Sequence, residues 1–363
     1  MKAGEFMKYS IAIIGSGSMG KHHSTSYDQL NEFYSDIQIE KKVICSRNIT
    51  AERADELGWA EYEKDWQKVV VRPDIDVIDI SAYDNLHYPI AKAALENNKR
   101  VICEKPLADN SEQARELVKL SQDKNISCTV CTNYRYMHAI RCIKHLIDSG
   151  ELGEIRHVYC SFTMDWAVDL NMPMYWRLDD KISPTGALGD LGTHLIDMCY
   201  YLGLEFSEVC GMNEVFGKKR KSGDTFAETT ANELCVFNAR FTNKALGVFE
   251  LSRVSGGGGG MIFEIHGTKG SVRWEKMQMN ELLVHTGKIS DSWRYKRINA
   301  GEILPYDYKW SSEFKQNDGF TLLFYDFLSG NGRSPTFNDG LKCCEVIDAI
   351  LQSDKEKKTI QII

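Results

Sequence analysis

Short β-branched runs alternate with amphipathic stretches through the first third of the chain. Tyr9 to Ile14 is an apolar run, and Met19 to Phe33 follows with helical spacing. Lys42 to Cys45 is a second strand-like run, followed by a helical pattern over Ala51 to Leu57. Ile75 to Ile80 is again β-branched and leads into a helix over Pro89 to Glu96. Val101 to Cys103, a helix over Ser111 to Ser121 and the run Cys128 to Cys131 complete the series. Asn110-Ser111 before Glu112 is an N-cap signal for the last of these helices. Such strand–helix alternation predicts a parallel sheet with helices on both faces.

The pattern changes after about residue 132. A helix over Ala139 to Asp148 ends at Gly150, and a strand follows from Ile155 to Phe162. Residues 164–185 form a long irregular stretch with Trp166, Pro173, Trp176 and Pro184; loops of this length are often functional. A helix over Ala187 to Tyr201 precedes strand-like runs at Leu234–Phe241, Ala245–Leu251, Met261–His266, Ser271–Trp274 and Leu282–His285. Phe320–Leu328 and Leu341–Leu351 read as late helices. The expected architecture is α/β. A dinucleotide-binding domain over 7–132 precedes an α+β domain over 133–363 with a large, mostly antiparallel open sheet. Gly256 to Gly260 precedes the strand-like Met261-Ile262-Phe263 instead of a Lys-Ser/Thr helix start, so it reads as a flexible hairpin connection, not a phosphate loop.

Composition narrows the function. The 363 residues are 43% hydrophobic and 26% charged, the balance of a globular chain. A net charge of −7 disfavours a nucleic-acid partner. Lys218-Lys219-Arg220-Lys221 is a dense basic run without interleaved aromatics and reads as a solvated loop. The 11 cysteines are odd in number and irregularly spaced, which fits reduced thiols in the cytoplasm. Cys128-x-x-Cys131 reads as strand core, and no metal site is expected. No apolar run approaches the ~20 residues that span a bilayer. Residues 1–6 lack the pattern of a signal peptide and are expected to be a cloning remnant or an upstream start.

Gly15-Ser16-Gly17-Ser18-Met19-Gly20 follows the first strand and opens a helix. The first glycine permits the tight turn, the second a close approach of a pyrophosphate, the third close helix–strand packing. The helix N-terminus then offers free N–H groups to the phosphates. Gly15, Gly17, Ser18, Met19 and Gly20 are therefore the expected pyrophosphate cradle. At the end of the second strand, Cys45-Ser46-Arg47-Asn48 carries no acid to bind a ribose 2′-hydroxyl. Ser46 and Arg47 suit a 2′-phosphate, so the expected cofactor is NAD(P), leaning to NADP(H).

Two further clusters carry chemistry. Val101-Ile102-Cys103-Glu104-Lys105-Pro106 puts a lysine at the carboxyl end of a strand, where open α/β sheets bind ligands. In Gly186-Ala187-Leu188-Gly189-Asp190-Leu191-Gly192-Thr193-His194, Asp190 and His194 are four apart and share a helix face. Asp190 alternatively caps that helix. Lysine, histidine and carboxylate together suit alcohol oxidation.

On these residues the chain resembles the glucose–fructose oxidoreductase/inositol dehydrogenase (Gfo/Idh/MocA) family over nearly its whole length. The resemblance rests on the glycine fingerprint, Leu86-His87, Glu104-Lys105-Pro106, Asn133-Tyr134-Arg135, Trp176-Arg177, the Asp190–His194 helix, Pro335-Thr336-Phe337 and Asp339-Gly340. Asp165-Trp166 and the stretch that follows resemble the sugar-oxidising branch with levoglucosan dehydrogenase. The resemblance implies an NAD(P)-dependent oxidation of a secondary hydroxyl on a sugar, anhydrosugar or cyclitol, or the reverse reduction. It implies that Lys105 hydrogen-bonds the reacting hydroxyl, that His194 is the general base, and that Asp190 orients the sugar or the histidine. It implies that His87, Glu104, Lys105, Trp176 and Arg177 face the cofactor and that Tyr134 and Trp166 touch the sugar. Asp197 reads as structural. The chain departs from the family at Ala82-Tyr83-Asp84, where Thr-Pro-Asn is usual, which adds charge and bulk near the nicotinamide. Two alternatives share the fold: an NAD-dependent glycoside hydrolase and a non-catalytic dinucleotide-binding sensor. A homo-oligomer, dimer or tetramer, is expected because an open sheet leaves a face to cover.

Overall fold

The computed structural model describes residues 6–287, 295–304 and 318–362, so the expectation for the first six residues falls outside it except at Phe6. The chain divides into two compact units. One holds the chain up to Asn133 together with a later stretch ending at Cys344; the other runs from Tyr134 and resumes at Glu345.

The first unit contains β1 (Met7–Ile14), β2 (Ile37–Cys45), β3 (Glu61–Glu63), β4 (Val77–Ile80), β5 (Arg100–Cys103) and β6 (Cys128–Val130). Between them lie α1 (Ser18–Phe33), α2 (Ala51–Glu56), α3 (Trp66–Val70), α4 (His87–Glu96) and α5 (Ser111–Asp123). All six strands are parallel, in the order β3-β2-β1-β4-β5-β6. Every residue of β4 is buried, as is Ile11–Ile14 of β1, because helices cover both faces of such a sheet. Strand order reverses between β1 and β4, the switch point where open α/β sheets bind their ligands. Asn110 caps α5 as expected, its Oδ1 accepting from the Gln113 amide at 3.0 Å. Strand β2 starts at Ile37, earlier than the apolar run suggested. Ile37 and Ile39 are buried while Gln38 is exposed, a half-buried alternation that the run did not show.

The second unit contains α6 (His138–Asp148), β7 (Ile155–Thr163) and α7 (Thr193–Tyr201), then β8 (Phe206–Glu214), β9 (Lys219–Ser222), β10 (Thr225–Glu228) and β11 (Leu234–Phe241). β12 (Leu246–Ser252), β13 (Gly260–Gly267), β14 (Gly270–Glu275), β15 (Glu281–Thr286), β16 (Lys296–Asn299) and α8 (Ala300–Ile303) follow. The later elements are α9 (Asp318–Ser329), α10 (Phe337–Glu356) and β17 (Ile360–Gln361). A nine-stranded sheet runs β16-β15-β14-β13-β7-β12-β11-β8-β17, antiparallel throughout except between β7 and β12. Register lines up Phe237, Phe249, Cys160, Phe263 and Trp274 as one buried row across five strands. The opposite face carries exposed Met212, Leu246 and Val248. Among the described residues no helix is long and apolar enough to cross a membrane.

Three expectations need correction. The second domain does not run unbroken from 133 to the end. Helix α9 packs on α1, with Phe324 stacked 5.0 Å from Tyr27, and the start of α10 adds Phe337 and Cys344 to the first unit's core. The basic run at 218–221 is not a solvated loop. Residues Lys219–Ser222 form a hairpin with β10 across Gly223-Asp224, and Arg220 is fully buried on Glu233 at 2.7 Å. The five-glycine run does not close a hairpin. Strands β12 and β13 lie on opposite sides of β7, so it crosses from one to the other.

Candidate active site

In the first unit the fingerprint glycines form a close-packed turn. Gly15 has φ +127°, and a Cβ there would lie 2.3 Å from the Ser81 carbonyl oxygen. A Cβ on Gly20 would lie 2.1 Å from the Gly15 carbonyl oxygen. The Gly15 amide donates to Cys45 O at 2.8 Å and the Ser81 amide to Ile14 O at 2.9 Å, which ties the turn to β2 and β4. Gly17 precedes α1 with open space around its Cα, so Ser18 and Met19 begin the helix beside room for a phosphate. This cradle fits the pyrophosphate of a dinucleotide. Ser46 and Ser16 face each other, hydroxyl to hydroxyl, at 2.7 Å, and Arg47 is exposed at the end of β2.

His87 is buried, its Nδ1–H donating to Pro106 O at 2.6 Å with Nε2 3.3 Å from Ala82 O. It therefore joins the loops that follow β4 and β5. The Lys105–Pro106 bond is cis. Of the unusual Ala82-Tyr83-Asp84, Tyr83 is exposed and Asp84 buried. Glu104 is buried, and its Oε2 accepts from the Lys105 amide at 3.0 Å.

In the second unit a cavity of about 480 Å³ is lined by aromatic, methionine and charged side chains, among them Phe162, Trp166, Tyr175, Arg177, Asp190 and His194. The volume is that of a small-molecule site. Asp190 lies in a π-helical turn, Leu188–Gly192, directly before α7, and His194 lies in the first turn of α7. π-Turns inside helices recur at functional sites. The four-residue spacing thus brings both side chains to one cavity.

Asp190 is held from two sides. Its Oδ1 accepts from Arg177 Nη1 at 2.5 Å and its Oδ2 from Arg253 Nη2 at 3.0 Å. The fully buried Arg253 also donates to Arg177 O at 2.7 Å and Gly186 O at 3.0 Å. Asp190 is a paired carboxylate in a guanidinium clamp, in place of the helix cap that its position also allowed. Trp176 lies against Arg177, 4.3 Å from guanidinium carbon to ring centroid, and Trp166 meets Tyr175 edge-on at 5.7 Å. Tyr134 packs edge-on against His194, with ring centroids 4.5 Å apart. Burial, and secondarily Asp190, holds the Tyr134 phenol protonated well above its usual range. Asp197 pairs with Arg135 at 3.0 Å, the structural role expected of it.

Two residues near this cavity escaped the sequence reading. Arg253 directly follows the apolar strand β12, and a charge in that place was the available signal. Lys276 hydrogen-bonds the Tyr134 hydroxyl and lies 5.4 Å from the Phe162 ring centroid. Burial lowers its pKa below the usual lysine value. Arg220 supports the site from outside. It donates to Ala167 O and Asp169 O at 2.8 and 2.7 Å and so pins the irregular stretch that carries Trp166.

Comparison with known proteins agrees with both units. Residues 9–132 match the model of the oxidoreductase family with an NAD-binding Rossmann fold, and residues 140–273 match the GFO/IDH/MocA C-terminal domain. Levoglucosan dehydrogenase of Pseudarthrobacter phenanthrenivorans is 31% identical over 97% of this chain and 98% of its own length. The structure of a levoglucosan dehydrogenase in complex with NADH and L-sorbose superposes with a TM-score of 0.91 at 31% identity, covering 99% of this chain and 100% of that one. An oxidoreductase domain protein from Kribbella flavida gives the same TM-score and identity over 98% of this chain and 99% of its own. The chain belongs to the Gfo/Idh/MocA family of oxidoreductases, with an NAD-binding Rossmann domain at its N-terminal end.

Proposed function

We propose that the protein is a cytoplasmic NAD(P)-dependent dehydrogenase that oxidises a secondary hydroxyl of a sugar, anhydrosugar or cyclitol, or reduces the matching ketone. The observation that carries this reading is the cavity of about 480 Å³ that Asp190 and His194 line together with Trp166 and Tyr175. Aromatic faces beside a few fixed polar groups suit a polyol, which offers apolar C–H faces and directional hydroxyls. The likeness to levoglucosan dehydrogenase supports the same substrate class.

Gly15, Gly17, Ser18, Met19 and Gly20 bind the pyrophosphate. Ser46 and Arg47, with no acid beside them, favour the 2′-phosphate of NADP(H). His87, Glu104, Trp176 and Arg177 shape the nicotinamide side. When bound, the nicotinamide supplies the acceptor for the hydride leaving carbon. Lys105 hydrogen-bonds the reacting oxygen and favours its alkoxide character. His194 takes the hydroxyl proton as general base. Asp190, clamped by its arginines, accepts a hydrogen bond from a neighbouring hydroxyl and sets the sugar's orientation. Tyr134 and Trp166 complete the sugar's surroundings. Ten of the eleven cysteines are buried and none is in a disulfide, which supports a reducing compartment. The exposed Met212, Leu246 and Val248 support self-association through the outer sheet face.

The test is a turnover screen of aldoses, anhydrosugars, inositols and glycosides with NAD⁺ or NADP⁺, followed by nicotinamide absorbance and free-sugar release. Steady reduction with one polyol, lost roughly 100-fold or more in His194→Ala while cofactor still binds, is expected. Release of free sugar without net reduction would replace this reading with the hydrolase.

A further inference from the structure

The first unit buries a histidine that the proposed chemistry does not use. His23 is fully buried in α1, with both oxygens of Asp79 at 3.0 Å from Nδ1 and Glu104 Oε1 at 3.2 Å from Nε2. Phe320 and Phe324 of α9 close over it at 4.8 and 4.9 Å between ring centroids. A carboxylate only accepts hydrogen bonds, so carboxylates on both ring nitrogens require both to carry protons. A neutral imidazole would aim a lone pair at a buried anion. Glu104 in turn accepts from the Lys105 amide through its other oxygen.

We propose that His23 is a permanently charged imidazolium that keeps Glu104 ionised, and that Glu104 thereby fixes the backbone of Lys105. His23 is a positioning residue, and this role rests on the dehydrogenase reading of Lys105. The groups facing the ring are few. Helix α1 contributes Tyr27, whose hydroxyl donates to Asp79 at 2.7 Å, and the neighbouring His22 and Lys21. Strand β4 contributes Asp79, the residue after β5 contributes Glu104, on which Lys105 also acts, and the residue after β6 contributes Cys131; Cys103 lies beside Asp79 and Glu104. Helix α9 contributes the two phenyl rings. Burial alone would lower the His23 pKa, but the charge and hydrogen bond of Asp79, joined by Glu104, raise it to about 10. Burial pushes the Glu104 carboxyl up, and His23, joined by the charge and amide of Lys105, more than reverses this and leaves it below its usual value. Cys131 brings a third ligand atom within 4.8 Å of His23 and Glu104, so a bound metal is the rival occupant.

The first arm of the test is nitrogen NMR of the wild-type protein with ¹⁵N-labelled histidine, His23 being assigned by His23→Gln. Both ring nitrogens should remain protonated up to about pH 9. A neutral tautomer at pH 7.5, or stoichiometric metal in the native protein, overturns the proposal. The second arm is the pH profile of kcat on the substrate found by the screen. Without its cation Glu104 should take up a proton at higher pH than in the wild type, because burial disfavours the bare carboxylate, so His23→Gln should lose kcat several-fold at the low-pH end of the profile and recover it as pH rises. That limb should vanish in His23→Gln/Glu104→Gln. A drop equal at every pH would mean that His23 only supports the fold. Failure of the whole screen would sink the dehydrogenase reading, while the NMR arm would still decide the charge on His23.

Discussion

Each unit buries a charged cluster, and the two have opposite balance. In the first, one imidazole serves two carboxylates, Asp79 and Glu104. In the second, one carboxylate, Asp190, serves two guanidiniums. With His23 protonated the first cluster has one negative charge in excess, and the second has one positive. Their surroundings differ as well. The His23 cluster is sealed beneath two phenyl rings and ends on a backbone amide, so it fixes the chain. The Asp190 cluster lines a cavity, so it presents its charges to a ligand. The same chemistry, buried pairing of charge, holds a frame in one place and recognises a molecule in the other.

The sharpest way to break this contrast is Asp190→Asn. An amide cannot neutralise two guanidiniums, and Arg253 is fully buried. Removing one side of a buried pair costs about 3 kcal/mol or more. Urea unfolding should therefore show a large loss, with turnover lost in the protein that remains folded. Wild-type stability in Asp190→Asn would mean that the clamp is not a buried ion pair.

The second test uses proton linkage, which distinguishes imidazolium from guanidinium. The folded pKa of His23 is raised to about 10, above its unfolded value. Its contribution to stability is therefore complete below about pH 6.5 and is lost as pH rises through about 10. Arginines keep their charge over this range. Wild-type stability should fall by up to about 1.4 kcal/mol per pH unit more steeply than that of His23→Gln/Glu104→Gln between pH 7 and 10. Parallel curves would remove the imidazolium from the comparison.

Much of the first unit was legible because its determinants are local. The glycine fingerprint, the β-branched runs and the Asn110 cap each act within a few residues. The Asp190–His194 spacing was legible for the same reason, although the π-turn was not. What escaped depends on distant partners. Arg220 looked solvated within a basic run because Glu233, which buries it, lies on another segment. The Gly223-Asp224 pair was a usable two-residue turn signal for that hairpin. The run Phe320–Leu328 predicted a late helix but not that it would pack on α1. Arg253 and Lys276 directly follow strands β12 and β14, whose neighbours only the sheet order supplies.

Lys276 sharpens the contrast most finely. It adds a further cation beside the second unit's cavity, and burial is the cause of its lowered pKa. Its ammonium hydrogen-bonds the hydroxyl of Tyr134, whose ring packs on His194. If the excess positive charge of this unit serves ligand recognition, Lys276→Met should weaken sugar binding while leaving the fold intact, since methionine retains most of the apolar stem. A hydrogen bond to a charged group contributes about 1.5 kcal/mol, so KM should rise roughly tenfold with kcat little changed. A fall in kcat at constant KM would instead place Lys276 behind Tyr134 as a support for His194. The second cluster would then act on the reacting proton as well as on the position of the sugar.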